Sequence, residues 1–315
     1  MADPTGAATP AAALGSAPAR LRALLAEERL HLVPGVTNAF DAILAEQAGF
    51  GALFTTGAGI ANTLFGWPDL GLVTMTEIVD ANRRIAGATA VPVIADADTG
   101  YGNHLNVTRT VRELERAGVG AIIIEDQVAP KKCGHFEGKA VVAEIEMVEK
   151  LVAARMALGD GGPVLFARTD ALAVEGIDAA LARAQAYVAA GAEVIFIEAP
   201  RTAEEIERIP REVPVPCLLN IVEGGKTPVL PPEQLEAAGY RIALYANLAL
   251  RMSARAVERA FQVLQEERSS ASLAAEMLPW EQRQATVGLP AWQELDALVA
   301  ARARLLGGSP DAAGA

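Results

Sequence analysis

Residues 91–127 read VPVIADADTGYGNHLNVTRTVRELERAGVGAIIIEDQ. An apolar run at 91–95 ends in an acidic, glycine-containing turn, and a segment with helical spacing at 107–117 leads into a second apolar run at 120–124. Short β-rich runs separated by a helix are typical of one unit of a parallel sheet. Gly118, just after the helical segment, fits the left-handed cap that turns a helix back toward the sheet.

The same unit recurs along the chain. Eight apolar runs are nearly continuous in Val, Ile, Leu and Ala, as is typical of parallel strands buried on both faces. The predicted strands are 31–36, 51–56, 91–95, 120–124, 164–167, 194–197, 217–219 and 242–245. The predicted helices are 41–48, 76–86, 107–117, 143–157, 177–189, 203–209, 232–238 and 248–267. Gly49, Gly191 and Gly239 repeat the capping position of Gly118. Eight such units predict an α/β fold, a (β/α)8 TIM-type barrel, with a doubly wound sheet as the alternative.

One barrel domain accounts for most of the chain. Such a barrel occupies roughly 250 residues, and the chain has 315. Residues 1–18 are mostly Ala, Pro, Thr and Gly without the pattern of a signal peptide, so we expect a disordered tail there and another at 307–315. The domain is expected to span 19–306. Its last part, 277–306, lies beyond the eighth unit and contains an apolar-periodic helix at 291–305. We expect this extra helix to pack on a neighbouring subunit.

Composition excludes several classes of partner. The formal charge of −12 argues against nucleic acid and against anionic membrane surfaces, because both repel a net anion. No apolar run reaches the roughly 18 residues that a membrane helix needs. Two cysteines are too few for a disulfide framework and favour a reducing compartment. We therefore expect a cytoplasmic protein that binds neither nucleic acid nor a membrane.

Acidic residues cluster at the predicted ends of two neighbouring strands. Asp96 and Asp98 follow the third strand and Glu125 follows the fourth. In a barrel the active site lies at the carboxyl ends of the strands, and residues two apart on an extended segment point to the same side. Three adjacent carboxylates repel one another unless a cation or protons intervene, and oxygen ligands suit Mg²⁺ or Mn²⁺. A helix cap at 98–100 is the alternative interpretation, which Glu125 on the adjacent strand end disfavours.

The lysines argue for a metal rather than a Schiff base. The chain has five, Lys131, Lys132, Lys139, Lys150 and Lys226, and none ends a predicted strand. A Schiff-base aldolase needs such a lysine. A metal acting as a Lewis acid on a 2-oxo oxygen is the other common way to stabilise an enolate.

The segment after the fourth strand, 130–139, reads PKKCGHFEGK. It places Cys133 between Lys132 and His135, which would lower the pKa of the thiol as an acid/base cysteine requires. A loop over a barrel mouth also makes a natural lid that excludes water. On spacing alone, a solvated basic loop with an incidental cysteine is the alternative.

Three motifs together resemble the isocitrate lyase/phosphoenolpyruvate mutase superfamily. They are DADTGYGN at 96–103, IEDQ at 124–127 and KKCGH at 131–135. Further matches are GWPDLG at 66–71, ARTDA at 167–171 and NIVEGGKTP at 220–228. The resemblance extends from about residue 21 to about residue 302. It implies a (β/α)8 barrel whose extra C-terminal helix is exchanged between subunits, in a homotetramer built as a dimer of helix-swapped dimers.

The resemblance implies a role for each residue at a matching position. Mg²⁺ (or Mn²⁺) would be held, partly through water, by Asp96, Asp98 and Glu125, with Asp69 supporting that network. The carboxylate of a 2-oxo acid would be bound by Arg168 and by the backbone N–H groups of Thr56, Gly57 and Ala58. Cys133 would protonate the enolate face in cleavage. The rest of the substrate pocket would be lined by Phe54, Gly134, His135, Glu198 and Asn220.

Departures from the superfamily leave the substrate open. Thr56 stands where Ser is common, and LYAN at 244–247 replaces a Tyr-Pro-Leu stretch. LPWEQR at 278–283 lacks a match to the Gln-Thr-Arg that binds tricarballylate in methylisocitrate lyases. The segments 137–139 and 222–226 look closer to dimethylmalate lyases, oxaloacetate-cleaving relatives and carboxyphosphonoenolpyruvate mutases.

The leading prediction is a Mg²⁺-dependent carbon–carbon lyase. It would cleave a small 2-hydroxy di- or tricarboxylate, of the substituted malate or methylisocitrate type, to a 2-oxo acid and a carboxylate whose enediolate is protonated by Cys133. A mutase that forms P–C bonds and an oxaloacetate-cleaving enzyme are the alternatives. A barrel that has lost catalysis is disfavoured by the carboxylates, the cysteine and Arg168.

Overall fold

The computed structural model describes residues 15–132, 134 and 138–306. Eight parallel strands pair in sequence order, and the first closes against the last through four residue pairs, from His31–Ile242 to Pro34–Tyr245. The strands are β1 (His31–Val36), β2 (Leu53–Thr55), β3 (Val93–Asp96), β4 (Ala121–Glu125), β5 (Val164–Thr169), β6 (Val194–Ile197), β7 (Cys217–Asn220) and β8 (Ile242–Tyr245). A doubly wound sheet would have two edges, so the predicted barrel is confirmed and the alternative is wrong.

The eight predicted helices are all present. They are α2 (Ala39–Gln47), α4 (Met75–Ala86), α5 (His104–Arg116), α6 (Glu144–Leu158), α8 (Ile177–Ala189), α9 (Ala203–Glu212), α10 (Pro232–Ala238) and α11 (Leu248–Glu267). The four glycines predicted to end helices, Gly49, Gly118, Gly191 and Gly239, have φ between +86° and +106°. Within the described ranges, every helix is too short or too polar to cross a membrane.

Further short elements escaped prediction because they have few turns and no clear apolar period. They are α1 (Ala17–Leu25), α3 (Gly57–Ile60), a π-helical turn (Ala61–Phe65) and α7 (Ala171–Glu175). The first of these begins inside the stretch 1–18 that was predicted to be a tail; residues 1–14 lie outside the described part of the chain.

Strand residues alternate between two apolar layers. On β5, Val164 and Phe166 face the barrel interior, whereas Leu165 and Ala167 face the surrounding helices. The interior is filled by large side chains from all eight strands and by Leu21 and Leu25 of α1. That helix is also held by Arg22, whose guanidinium donates to both carboxylate oxygens of Glu193 at 2.8 and 2.9 Å. Aliphatic packing therefore fills the barrel from the end opposite to the predicted site.

The chain divides into two compact units, with the boundary inside α11 at Val257. The described part of the second unit contains the end of α11, a 3₁₀ turn (Ala271–Leu273), α12 (Trp280–Thr286) and α13 (Leu289–Leu305). The predicted helix at 291–305 is thus present. It has no buried residue, and the exposed fractions of Trp292 and Leu298 are 52% and 63%. The exchange of this helix between subunits and the single-domain span of 19–306 both stay predictions.

Truncating Leu21 tests the role of α1 in the barrel core. Leu21 is fully buried, so Leu21→Ala should lower the free energy of unfolding by about 2–5 kcal/mol, through lost burial and a cavity. Urea unfolding followed by circular dichroism measures this. The matched control is Leu105→Ala on α5, where the leucine is 69% exposed and a change of about 0.5 kcal/mol or less is expected. Equal effects of the two substitutions would contradict this packing.

Candidate active site at the carboxyl ends of the strands

Polar side chains from neighbouring strands meet at one rim of the barrel. Asp96, Glu125 and Asn220 are the last residues of β3, β4 and β7, while Arg168 lies on β5 beside Glu125 in the sheet register. The rim encloses a cavity of about 50 Å³. Of the residues that the sequence analysis assigned to the site, those that line this cavity are Phe54, Thr56, Ala58, Asp69, Asp96, Gly134, Arg168, Glu198 and Asn220. The topology thus gathers residues that are far apart in sequence.

Asp96 and Asp98 converge, but through a turn rather than an extended strand. Asp98 has φ +47°, so the reasoning from alternating strand positions is wrong in its geometry. The Asp98 N–H donates to Asp96 Oδ1 at 3.1 Å, and the Gly57 N–H donates to Asp96 Oδ2 at 3.1 Å. A Cβ on Gly57 would lie 3.0 Å from Asp96 and 3.3 Å from Asp98. The turn therefore brings both carboxylates onto the backbone that follows β2.

Lys131 supplies the positive charge at this acidic corner. Its Nζ lies 2.5 Å from Asp69 Oδ1 and 2.8 Å from Asp98 Oδ1, and its side chain is 7% exposed. Burial works against the ammonium, but the surrounding carboxylates outweigh it and raise the pKa of Lys131 well above its usual value. For Asp98, burial outweighs the favourable charge of Lys131 and raises the pKa to about 6.

Arg168 is the cation of the second acidic corner. Its Nε lies 3.0 Å from Asp170 Oδ2 and 3.2 Å from Glu125 Oε2, and its Nη2 lies 3.8 Å from Glu198 Oε2. The guanidinium also lies over the ring of Phe196, 5.1 Å from the centroid. Burial opposes its charge, yet Asp170, Glu125 and Glu198 together raise its pKa well above the usual value.

Glu125 lies between the two corners. It is 2% exposed, and burial raises its pKa well above the ordinary value despite Arg168. Its Oε1 is buried without a hydrogen-bond partner in the described part of the chain. An unpaired buried oxygen is costly unless a ligand satisfies it, so this atom indicates where a cation or a water would bind.

The segment after β2 is a capped turn, and two of its backbone N–H groups are bonded within the protein. Thr56 caps α3 by accepting from the Gly59 N–H at 3.2 Å, which fixes the turn that Gly57 and Ala58 begin. The Gly57 N–H is used by Asp96, as described above. The carboxylate-binding role of Thr56, Gly57 and Ala58 stays a prediction. Its support is that Thr56 and Ala58 of this turn line the cavity.

The far side of the cavity combines Asn220, Glu198 and the loop residue Gly134. Asn220 Oδ1 is buried and has no hydrogen-bond partner among the residues described. A Cβ on Gly134 would lie 2.5 Å from Glu198 Oε1 and closer still to Arg168, so any side chain there would displace the ends of both side chains. Cys133, the predicted acid/base residue of this loop, and His135, predicted to line the pocket, lie outside the described residues.

Comparisons with known proteins assign the chain to a family. Residues 21–265 match the family model described as phosphoenolpyruvate phosphomutase. The chain is 42% identical to 2,3-dimethylmalate lyase of Eubacterium barkeri, covering 88% of this chain and 96% of that one. It is also 42% identical to 2-methylisocitrate lyase of Aeropyrum pernix, covering 91% and 92% of the two chains. The chain belongs to the phosphoenolpyruvate phosphomutase family.

Solved structures agree with this family assignment. Oxaloacetate acetylhydrolase in complex with 3,3-difluorooxalacetate is 32% identical, with a TM-score of 0.85 and coverage of 94% of this chain and 98% of the other. Phosphonopyruvate hydrolase in complex with oxalate and Mg²⁺ is 31% identical, with a TM-score of 0.81 and coverage of 90% and 99%. The superfamily resemblance and the enzyme class inferred from the sequence are confirmed.

The phosphomutase-family site fits a hydrated divalent cation. Its donors are carboxylate oxygens, as Mg²⁺ prefers, and Glu125 Oε1 is buried without a partner in the described ranges. No set of three His, Cys, Asp or Glu side chains within those ranges is already arranged around one point. Water would therefore supply much of the coordination, which is usual for Mg²⁺.

Several residues of the family site were not predicted from the sequence. Lys131 appeared only within loop and family motifs, and Asp170 only within the family motif ARTDA at 167–171. Other additions to the cavity wall are Lys132, Phe196, Leu244, Ala246 and Asn247. The two consecutive lysines at 131–132 were the sequence feature that could have indicated Lys131. The burial of Lys131 against Asp69 and Asp98 could not be predicted, because it depends on the path of the loop.

The raised pKa of Asp98 predicts a pH-dependent cost to stability. The folded protein holds this proton more tightly than the unfolded chain, so ionisation lowers stability as pH rises from 3.8 to about 6. Asp98→Asn in EDTA should therefore stabilise the protein, by an amount that grows across this window and levels off above it. The plateau should be on the order of 3 kcal/mol.

Urea unfolding at several pH values measures this effect, and thermal unfolding with MgCl₂ supplies the second half of the test. Mg²⁺ should raise the melting temperature of the wild type and not that of Asp98→Asn. A substitution that destabilises the metal-free protein equally at all pH values would contradict the electrostatic account.

Proposed function

We propose that the chain is a Mg²⁺-dependent carbon–carbon lyase acting on a small 2-hydroxy di- or tricarboxylate. The observation that supports this best is the position of Arg168, which lies between the acidic cluster and the backbone of Gly134. That arrangement offers a partly buried cation to a substrate carboxylate beside a site suited to a metal. It also adjoins the loop whose sequence carries Cys133.

The proposed mechanism gives each group one task. Mg²⁺, held by Asp96, Asp98 and Glu125 with Asp69 in support, would polarise the oxygen of the forming 2-oxo acid. Arg168 would bind the neighbouring carboxylate through charge-assisted hydrogen bonds, aided by backbone donors of the Thr56–Ala58 turn.

Proton transfer at the other fragment is assigned to the loop cysteine. In retro-aldol cleavage the 2-hydroxyl proton would pass to a carboxylate of the rim as the C–C bond breaks, which leaves the second product as an enediolate. The thiol proton of Cys133 would then pass to the enediolate carbon to give the carboxylate, and the proton taken from the hydroxyl would return to the thiolate through solvent. Glu198, Asn220 and His135 would line the pocket for that fragment. Gly134 would let the loop backbone approach Arg168 and Glu198, because a side chain there would displace both.

The relatives and the cavity support a substituted malate as substrate. Two curated relatives with 42% identity are a 2,3-dimethylmalate lyase and a 2-methylisocitrate lyase. Phe54, Leu244 and Ala246 form an apolar part of the cavity wall. Such a wall accommodates methyl substituents of the substrate better than it accommodates an additional carboxylate, because a charge buried there would lack partners.

A substrate panel combined with a cysteine variant tests the proposal. Release of 2-oxo acid is measured from malate, 2,3-dimethylmalate and 2-methylisocitrate, and release of acetate is measured from oxaloacetate, each with MgCl₂ or with EDTA. We expect turnover of a substituted malate that EDTA abolishes. Cys133→Ser should lower kcat by about 10²-fold or more, as expected for loss of a general acid. Undiminished turnover by a folded Cys133→Ser protein would remove the thiol from the mechanism.

The control for this variant is Cys217→Ser. Cys217 is buried in β7, 1% exposed, and burial raises the pKa of its thiol to about 12, so it is a packing residue. Its substitution should lower stability and leave kcat of the folded enzyme unchanged. Preferred cleavage of oxaloacetate would identify the alternative hydrolytic member of the family.

A phosphonomutase is the second candidate, because the matching family model bears that description and one relative, from Arabidopsis thaliana, is a carboxyvinyl-carboxyphosphonate phosphorylmutase with 38% identity. Phosphorus NMR after incubation with phosphonopyruvate separates the two reactions. A new phosphate-ester signal in the absence of any lyase activity would reverse the assignment.

We also propose that the second compact unit mediates assembly into a homotetramer of helix-swapped dimers. The support is the exposed apolar surface of α13, which includes Trp292, Leu298 and Leu305. Exposed apolar patches of this kind commonly mark protein–protein interfaces. The predicted cytoplasmic location rests on composition and stays a prediction.

A charge placed on α13 tests the assembly. Leu298→Asp should shift the mass measured by light scattering from tetramer to a smaller species, because the interface would bury an unpaired carboxylate. Glu294→Gln on the same helix is the control and should leave the mass unchanged. An unaltered tetramer in Leu298→Asp would exclude this face from the interface.

A further inference from the structure

Lys139 closes a ring of contacts behind Arg168. Its Nζ donates to Asp170 Oδ1 at 2.5 Å and to the Gly134 carbonyl oxygen at 2.5 Å. The side chains of Lys139 and Asp170 are 3% and 0% exposed. A lysine and an aspartate so deeply buried must neutralise each other to avoid a large desolvation cost.

Asp170 is held rigidly on its other sides. Its backbone N–H donates to Asp126 Oδ1 at 2.9 Å. Asp126 in turn accepts from the hydroxyls of Thr169 at 2.6 Å and Tyr187 at 2.8 Å. Because Asp126 cannot shift without breaking these bonds, it fixes the backbone of Asp170, from which the carboxylate reaches its two cations.

Asp170 shares its charge between two cations. Its Oδ2 accepts from Arg168 Nε at 3.0 Å, and its Oδ1 accepts from Arg168 Nη2 at 3.3 Å as well as from Lys139. Burial opposes ionisation, but the two cations outweigh it and lower the pKa of Asp170. Asp170 therefore stays ionised and orients the Arg168 guanidinium through a two-point contact.

The charge balance explains why a second cation is needed. Arg168 faces three carboxylates, those of Asp170, Glu125 and Glu198. Without Lys139, the Arg168 guanidinium would be the nearest cation to Asp170 and would be attracted more strongly to the Asp170 carboxylate. With Lys139 present, part of the positive potential of Arg168 is left for an incoming anion.

We propose that Lys139 is a positioning residue for substrate binding, which fixes Arg168 through Asp170 and fixes the Gly134 backbone against it through the carbonyl oxygen. Lys139 does not touch the substrate in this proposal. The ligand it serves is a carboxylate bound by Arg168, and in that respect the inference rests on the proposed function.

Binding of oxalate in the presence of MgCl₂, measured by isothermal titration calorimetry, tests the proposal without requiring turnover. Lys139→Met should weaken oxalate binding by tenfold or more. It should also lower kcat/KM for the best substrate of the panel by about 10²-fold, mainly through KM. Oxalate binding within twofold of the wild type, in a folded Lys139→Met protein, would overturn the proposal.

Lys150→Met is the matched control. Lys150 on α6 is another buried lysine, with a 4% exposed side chain whose Nζ lies 3.5 Å from Glu146 Oε1. Both substitutions remove a buried ammonium that faces a carboxylate, so both should change the melting temperature. Oxalate binding should stay within twofold of the wild type in Lys150→Met, and an equal loss in both variants would show a general structural effect instead.

A double-mutant cycle tests whether Lys139 acts through Asp170. Asp170→Asn should itself weaken oxalate binding, and the double variant should bind oxalate about as tightly as the weaker of the two single variants. If the fold-losses of oxalate affinity in the two single variants multiply in the double variant, Lys139 acts independently of Asp170, and the proposed route is overturned.

Lys139→Gln and Lys139→Arg keep the test decisive if Lys139→Met fails to fold. Arg preserves the charge that Asp170 requires and Gln does not, so Lys139→Arg should bind oxalate at least tenfold more tightly than Lys139→Gln. Equal binding by these two variants would overturn the proposal. If oxalate binding depends on Lys139 while no panel substrate is cleaved, the proposed lyase reaction fails and the positioning role stands.

Discussion

Repulsion among buried carboxylates is the constraint around which this site is organised. Six acidic side chains gather at one rim of the barrel, namely Asp69, Asp96, Asp98, Glu125, Asp170 and Glu198. Within the described ranges, two buried lysines, Lys131 and Lys139, and the partly buried Arg168 face them. Burial and mutual repulsion raise the pKa of Asp98 and Glu125 even beside these cations. The rim therefore holds more negative charge than its own lysines and arginine balance, which favours a bound cation.

The barrel makes this arrangement possible because its backbone is already satisfied. Parallel strands pair through their own N–H and C=O groups, so side chains at their carboxyl ends are free to face a common cavity. The register of β4 and β5 places Glu125 beside Arg168, and their separation along the chain is irrelevant to that contact. Stability is supplied elsewhere, by aliphatic and aromatic side chains inside the barrel and beneath the helices.

The loop after β4 joins the two acidic corners. Lys131 reaches Asp69 and Asp98, while Lys139, near the other end of the loop, reaches Asp170. Between them Gly134 lies so close to Arg168 and Glu198 that any side chain there would collide with both. The same short segment thus supplies charge at both ends and close backbone approach in the middle. In the proposed lyase it also carries Cys133, so substrate binding and proton transfer depend on one segment.

The sequence by itself determined the barrel, because strand and helix periods and glycine caps are local properties that survive in any context. It also identified the acidic strand ends, since residues that follow buried strands in a barrel share one rim. It could not determine how charges pair across that rim. The left-handed turn at Asp98, the burial of Lys131 and the ring through Lys139 and Asp170 depend on distances between segments far apart in the chain. Only tertiary structure sets those distances, because closure of eight strands decides which residues become neighbours and which charges must neutralise one another.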